Sequence, residues 1–271
     1  MSKPESLSVN EGARELTGQA AVVTGSSSGI GRAIALELAR GGADVLVHSR
    51  ASRREAEEVA AAITALGRRP HVITCDLADP ASHEALVDQA WRWADSLGRG
   101  GVGIWINNAG ADVLTGDAVN WSFDERLEYL WKVDVSACVR LSRMAGGRMQ
   151  TGALEDGASV ILNMGWSRAF SGMEGDSGQM FAAVKGAVAA FTMSLSRTIA
   201  PRVRVNCIAP GWIKTEWGVG ASNRWQERAI ADSLLARWGT PDDVAQVARF
   251  LVSPAASFIT AQIIAVDGGQ K

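Results

Sequence analysis

Short, continuous apolar runs alternate along this chain with longer stretches of helical periodicity, and no other feature narrows the possible folds as much. The runs occupy residues 20–24, 45–48, 72–74, 102–106, 159–163, 202–208 and 262–266. Helical patterns fall between them at about 30–40, 52–66, 80–97, 123–149 and 179–200. Strands alternating with helices form βαβ units and hence a parallel sheet. Runs that are apolar throughout, rather than at every second residue, belong to strands covered on both faces. The expected class is α/β, a doubly wound parallel seven-stranded sheet flanked by helices, with right-handed crossovers. No internal repeat and no linker rich in Pro, Gly or Ser divides the chain. Residues 16–271 therefore read as one domain, preceded by a polar, mobile extension over 1–15.

Composition excludes several classes. With 27 Lys and Arg against 29 Asp and Glu, the net charge is −2, so no basic face invites nucleic acid or an anionic membrane. No apolar run approaches the length of a membrane-spanning helix, and the polar start lacks the apolar core of a secretory signal. Three cysteines, Cys75, Cys138 and Cys207, make no disulfide framework and read as core residues of a protein in a reducing, cytoplasmic compartment. His48, His71 and His83 lack metal-ligand spacing and read as strand-end or surface residues.

The most informative motif joins the first run to the first helical stretch: Thr24-Gly25-Ser26-Ser27-Ser28-Gly29-Ile30-Gly31. Glycines there permit a tight turn and close approach of backbone to a pyrophosphate. The helix N-terminus adds free N–H groups and the positive end of its dipole. Further along stand Asp76-Leu77, Asn107-Asn108-Ala109-Gly110, Pro210-Gly211 with Ile213 and Thr215, and Asp267-Gly268-Gly269. In this order, from about residue 16 to 269, the chain resembles the short-chain dehydrogenase/reductases. The resemblance implies a Rossmann-type dinucleotide-binding domain with a lid at about 212–235. It implies cofactor contacts from Thr24, Gly25, Ser27, Ser28, Gly29, Ile30 and Gly31, and from Asp76, Leu77, Asn108, Ala109 and Gly110. Lys185, Pro210, Gly211, Ile213 and Thr215 would complete the set. At the end of the second strand, Ser49 stands where an acid binds the ribose 2′-hydroxyl in NAD-specific members, and Arg50 follows. An arginine suits a 2′-phosphate, so NADP(H) is expected over NAD(H). Arg53 and Arg54 stand nearby.

The catalytic positions depart from the family pattern. Lys185 is present, but the position of the proton-donating tyrosine, four residues earlier, holds Phe181. The only tyrosine, Tyr129, reads as packed along the long helix. Aligned on Asn163, the family serine falls at Trp166, and a one-residue shift would bring in Ser167 instead. The family asparagine is Asp134, which near Lys185 would form an ion pair or be protonated by burial. Substitute donors are Lys185, Asp134, Asp176, Ser177 or a water, with Glu174–Gly178 read as a polar loop before the helix. Trp166, Phe170 and Phe181, with Trp212, Trp217 and Trp225, suggest a pocket for an apolar or aromatic small molecule, or else ordinary packing. Trp91, Trp93, Trp105 and Trp238 read as structural. The long helices around Asp134 and Lys185 resemble those that form dimer interfaces in this family, with small residues at Ala182-Ala183, Gly186-Ala187 and Ala189-Ala190 that permit close packing, so the resemblance implies a homotetramer or homodimer. Two functions follow: an NADP(H)-dependent oxidoreductase like the 3-oxoacyl-carrier-protein reductases, with an altered proton donor, or a catalytically impaired relative acting as a cofactor-binding or structural partner.

Overall fold

A computed structural model describes residues 14–152 and 154–270. The strands are β1 (Ala20–Val23), β2 (Asp44–Ser49), β3 (Pro70–Thr74), β4 (Ile104–Asn107), β5 (Ser159–Met164), β6 (Val203–Pro210) and β7 (Ile263–Val266). The helices are α1 (Gly29–Arg40), α2 (Arg53–Ala65), α3 (Ala81–Ser96), α4 (Phe123–Leu130), α5 (Ala137–Thr151), α6 (Gly175–Ile199), α7 (Glu216–Gly220), α8 (Asn223–Asp232) and α9 (Pro241–Val252). One seven-stranded sheet runs in the order β3-β2-β1-β4-β5-β6-β7, and every pairing is parallel. The order reverses between β1 and β4. In such sheets that switch point opens a crevice at the carboxyl ends of the strands.

Burial explains the continuous apolar runs. Every residue of β1, β4, β5 and β6 is buried, with one apolar cluster on each face of the sheet. The core also holds a polar seam. Trp105 Nε1 donates to Asn107 Oδ1 at 2.9 Å. Asn107 Nδ2 donates to Ser142 Oγ and Asn163 Oδ1, both at 2.8 Å. Asn163 Nδ2 donates to Thr192 Oγ1 at 2.9 Å. Strands β4 and β5 are thereby tied to α5 and α6 with each buried polar group satisfied.

Three features differ from the sequence expectation. The stretch 123–149 is not one α-helix: Trp131–Ser136 forms a π-helical turn between α4 and α5. Helix α6 begins at Gly175, so Asp176 and Ser177 lie in its first turn rather than in a loop. Helix α9 had no counterpart in the reading, although Thr240 and Asp243 form a reciprocal capping box with Pro241 in the first turn. The expected N-terminal extension lies, through residue 13, outside the described residues. Its end is anchored, because Glu15 holds Arg249 of α9 through bonds of 2.7 and 2.8 Å. Among the described residues no helix is long and apolar enough to cross a membrane.

Replacing Asn163 by Ala strips an acceptor from Asn107 and a donor from Thr192 inside the core. The expected cost is about 2–4 kcal/mol, read as a lower urea midpoint at an unchanged m-value.

Candidate active site

At the switch point the turn after β1 is stitched to the turn after β4. Thr24 Oγ1 accepts the backbone N–H groups of Asn108 and Ala109, each at 3.0 Å. Asn108 Nδ2 returns bonds to the carbonyls of Thr24 and Gly25, each at 3.0 Å. This close approach excludes side chains. A Cβ on Gly25 would sit 2.8 Å from Ala109 Cα, and one on Gly31 would strike the Gly25 carbonyl and the Asn108 amide. Gly25 and Gly29 also have φ of 62° and 55°, a region that glycine enters without strain. Ser28, at the N-cap of α1, makes no side-chain cap, so the first-turn N–H groups keep their capacity for a ligand.

The other side of the turn is braced by His48, a role the sequence reading missed. Its Nδ1 accepts the Gly25 N–H at 3.0 Å, and Nε2 meets the Cys75 carbonyl at 3.1 Å. These partners require the neutral Nε2–H tautomer. Burial of the ring lowers its pKa to about 4. Ser26 adds a second tie, donating to the Val23 carbonyl at 2.7 Å and accepting the His48 N–H at 3.0 Å. The available signal was a histidine directly after the apolar residues 45–47 of β2.

Two cavities open from this cradle. The first, about 350 Å³, is lined by Gly25, Ser27, Ser28, Ile30 and Gly31 on one side and by Ser49, Arg50, Asp76 and Leu77 on another. Asn108, Ala109 and Gly110 form its floor. The second, about 490 Å³, shares Ile30 and Asn108 with the first and adds Lys185, Pro210, Gly211, Ile213 and Thr215. Of the residues marked for a cofactor, only Thr24 and Gly29 line neither cavity; Thr24 is spent on the stitches above.

In the second cavity Ser177, Phe181 and Lys185 lie four apart on α6 and face the same space. Lys185 Nζ pairs with Asp134 Oδ1 at 2.8 Å and donates to the Met164 carbonyl at 3.3 Å. Asp134 Oδ2 accepts the Ala111 N–H at 2.8 Å. The Asp134 side chain, in the π turn, is 1% exposed, so its charge is compensated inside the protein. The Phe181 ring meets Trp166 edge-on with centroids 6.3 Å apart. Trp212, Trp217 and Trp225 complete an aromatic wall. Trp238, read as merely structural, packs on Trp212 and Trp217 behind it.

Several candidates are not brought to this centre. Ser167 engages the side chain of Gln270 and does not line the cleft. Its neighbour Arg168 pairs with Asp232, which also accepts Trp212 Nε1 at 3.2 Å, so the loop after β5 is committed to holding α8. Arg228 of α8 binds Glu174 at 2.9 Å and holds that carboxyl down to about 2. Phe170 is 69% exposed and lies outside the pocket. Asp176 is exposed beside Arg126 at 3.6 Å. Tyr129 is not simply packed along its helix; it lines the first cavity and bonds Arg50. Cys138 and Cys207 are buried, with thiols raised by burial to about 12 and 11, whereas Cys75 is only half-buried. Among the described residues no cluster of three His, Cys, Asp or Glu could hold a metal.

A doubly wound sheet with a glycine cradle at its switch point defines a Rossmann-type protein. A family model described as enoyl-(acyl carrier protein) reductase matches residues 25–271. The chain is 32% identical over 266 residues to NADPH-dependent aldehyde reductase 2, chloroplastic, of Arabidopsis thaliana, covering 94% of each chain. It is 32% identical to a 3-oxoacyl-(acyl-carrier-protein) reductase of Staphylococcus aureus, covering 93% of this chain and 97% of that one. A Burkholderia cenocepacia short-chain dehydrogenase solved with NADP superposes with a TM-score of 0.81 at 33% identity, over 94% of this chain and 98% of that one. The chain belongs to the short-chain dehydrogenase/reductase family.

Because the folded pKa of His48 lies below the free value near 6.5, the unfolded chain binds more protons between pH 4 and 6.5. The contribution is complete above about pH 6.5 and is lost as pH falls toward 4, amounting to about 3 kcal/mol. Urea unfolding of the wild type should show this slope, and His48→Asn should flatten it. Equal slopes would mean that His48 is not held neutral.

Proposed function

We propose that this protein is an NADP(H)-dependent oxidoreductase whose proton is handled by a group other than the usual tyrosine. The observation that carries the reading is the pair of cavities joined through Ile30 and Asn108, with Arg50 at the far end of one and the Asp134–Lys185 pair in the other. Two joined cavities of about 350 and 490 Å³, with charged groups in both, suit a dinucleotide. The glycine cradle, which any Cβ would fill, suits its pyrophosphate. Asp76 and Leu77 would flank the adenine, and Arg50 beside Ser49 would take a 2′-phosphate. Lys185 would bind the nicotinamide ribose, with Ile213 and Thr215 near the carboxamide. When bound, the nicotinamide supplies a hydride.

The protein side of the chemistry falls to Lys185. Asp134 supplies its counter-charge, and Lys185 Nζ is the group assigned to hold and move a proton in the cleft. Phe181 has no proton to give, and with Trp166 and the tryptophans of the 212–235 lid it excludes water. The wall selects an apolar or aromatic small molecule. Reduction of an activated carbon–carbon double bond, or of a substrate carrying its own acid, suits this set best. Small residues on α6, with open space beside Gly186, suit assembly as a homotetramer or homodimer.

A second reading, a cofactor-binding pseudoenzyme, is favoured by the Trp166–Phe181 contact and the diversion of Ser167 to Gln270. NADPH oxidation with a panel of aromatic ketones, aldehydes and enones separates the two. The wild type should turn over an enone, and Phe181→Tyr should raise ketone reduction by roughly 10²-fold or more, the usual worth of a general acid. No oxidation with any substrate by either protein would favour the pseudoenzyme.

A further inference from the structure

The contact between Arg50 and Tyr129 joins residues 79 apart in sequence across the mouth of the first cavity. Arg50 Nη1 donates to Tyr129 Oη at 2.7 Å. The phenol is carried on α4, half-buried, with its ring set edge-on against Trp121 at a centroid distance of 5.5 Å. Its direction is therefore fixed by packing, whereas Arg50 is an exposed, flexible side chain at the end of β2.

The neighbouring arginines do not compete for this place. Arg53 is paired with Glu57, and Arg54 with Glu55 and Glu58, along the outer face of α2. Among the described residues lining the cavity, Arg50 is the only cation, and it has no carboxylate partner. A lone guanidinium at the rim of a cavity samples many rotamers, and ordering it costs entropy that weakens any anion it binds.

We propose that Tyr129 is a positioning residue that sets cofactor specificity by holding Arg50 over the cavity for the 2′-phosphate. The inference rests on the NADP(H) reading above. The bond uses a lone pair of the phenol oxygen as acceptor, which fixes where the guanidinium points. The pair thus presents a pre-ordered guanidinium to a dianionic phosphate. A ribose 2′-hydroxyl gains much less from the same pair, since charge-assisted bonds are about twice as strong as neutral ones. Tyr129 therefore acts on the choice between cofactors rather than on the binding of dinucleotides in general.

Isothermal titration of the full chain with NADP⁺ and NAD⁺ tests this. Tyr129→Phe keeps the ring packing on Trp121 and removes only the hydroxyl. It should weaken NADP⁺ binding by roughly 5- to 20-fold while leaving NAD⁺ within about twofold, the scale expected for loss of one or two hydrogen bonds to a charged group. Arg50→Ala should lower the NADP⁺/NAD⁺ preference further, and the double variant should be no worse than Arg50→Ala alone, because the phenol acts through the arginine. If Arg50→Ala abolishes the preference and Tyr129→Phe leaves it intact, or weakens both cofactors equally, the positioning role is overturned and the Arg50 reading stands. If Arg50→Ala leaves the preference unchanged, or the wild type binds neither cofactor, the NADP(H) reading falls and this inference with it.

Discussion

The cleft depends on the hydrogen bonds that hold the turn after β1 against the turn after β4. Thr24 and Asn108 close them reciprocally, each using a side chain to satisfy the other's backbone. Each such bond contributes about 1 kcal/mol net. The larger consequence is geometric: the two turns lie so close that Gly25 and Gly31 have no room for a side chain. His48 braces the same turn from β2, and its buried neutral ring makes the cradle sensitive to acid rather than to ordinary physiological pH changes.

The opposite end of the cleft is built on charge. Asp134 and Lys185 meet in a place with little water, and each makes one further bond, Asp134 to the backbone N–H of Ala111 and Lys185 to the carbonyl of Met164. A buried ion pair contributes little net stability because desolvation offsets attraction. This one sets Lys185 in a cavity lined largely by apolar and aromatic side chains. Phe181 lies one turn before Lys185 on α6 and lines the same cavity. The ion pairs of Arg168 with Asp232 and of Arg228 with Glu174 hold α8 and its Trp225 against the same space.

The sheet was legible because it is buried on both faces: apolar runs at β1, β2, β4, β5 and β6 need no partner to be recognised. β3 is an edge strand, and Pro70 and His71 hide its start. The π turn was not legible, since nothing in Lys132-Val133-Asp134-Val135 breaks a helical pattern; this departure from the α-helical pattern coincides with the bonds of Asp134 to Lys185 and Ala111. α9 carried a readable start in Thr240-Pro241-Asp242-Asp243 that the apolar pattern alone did not bring out. The glycine turn and Asn108 were legible as motifs because backbone geometry restricts them to few residue types. The contacts of His48, Tyr129 and Ser167 were not legible for one reason: each reaches a residue 23 to 103 positions away. Local pattern carries no information about such pairs.

The most direct test of the account is titration of the purified protein with NADPH and with NADH, followed by quenching of tryptophan fluorescence, since Trp212, Trp217 and Trp225 line the cavity that would hold the nicotinamide. The account predicts saturable quenching by both, with NADPH the tighter. No quenching and no binding by either would contradict it and leave the cradle, the ion pair and the aromatic wall without the ligand they are argued to serve.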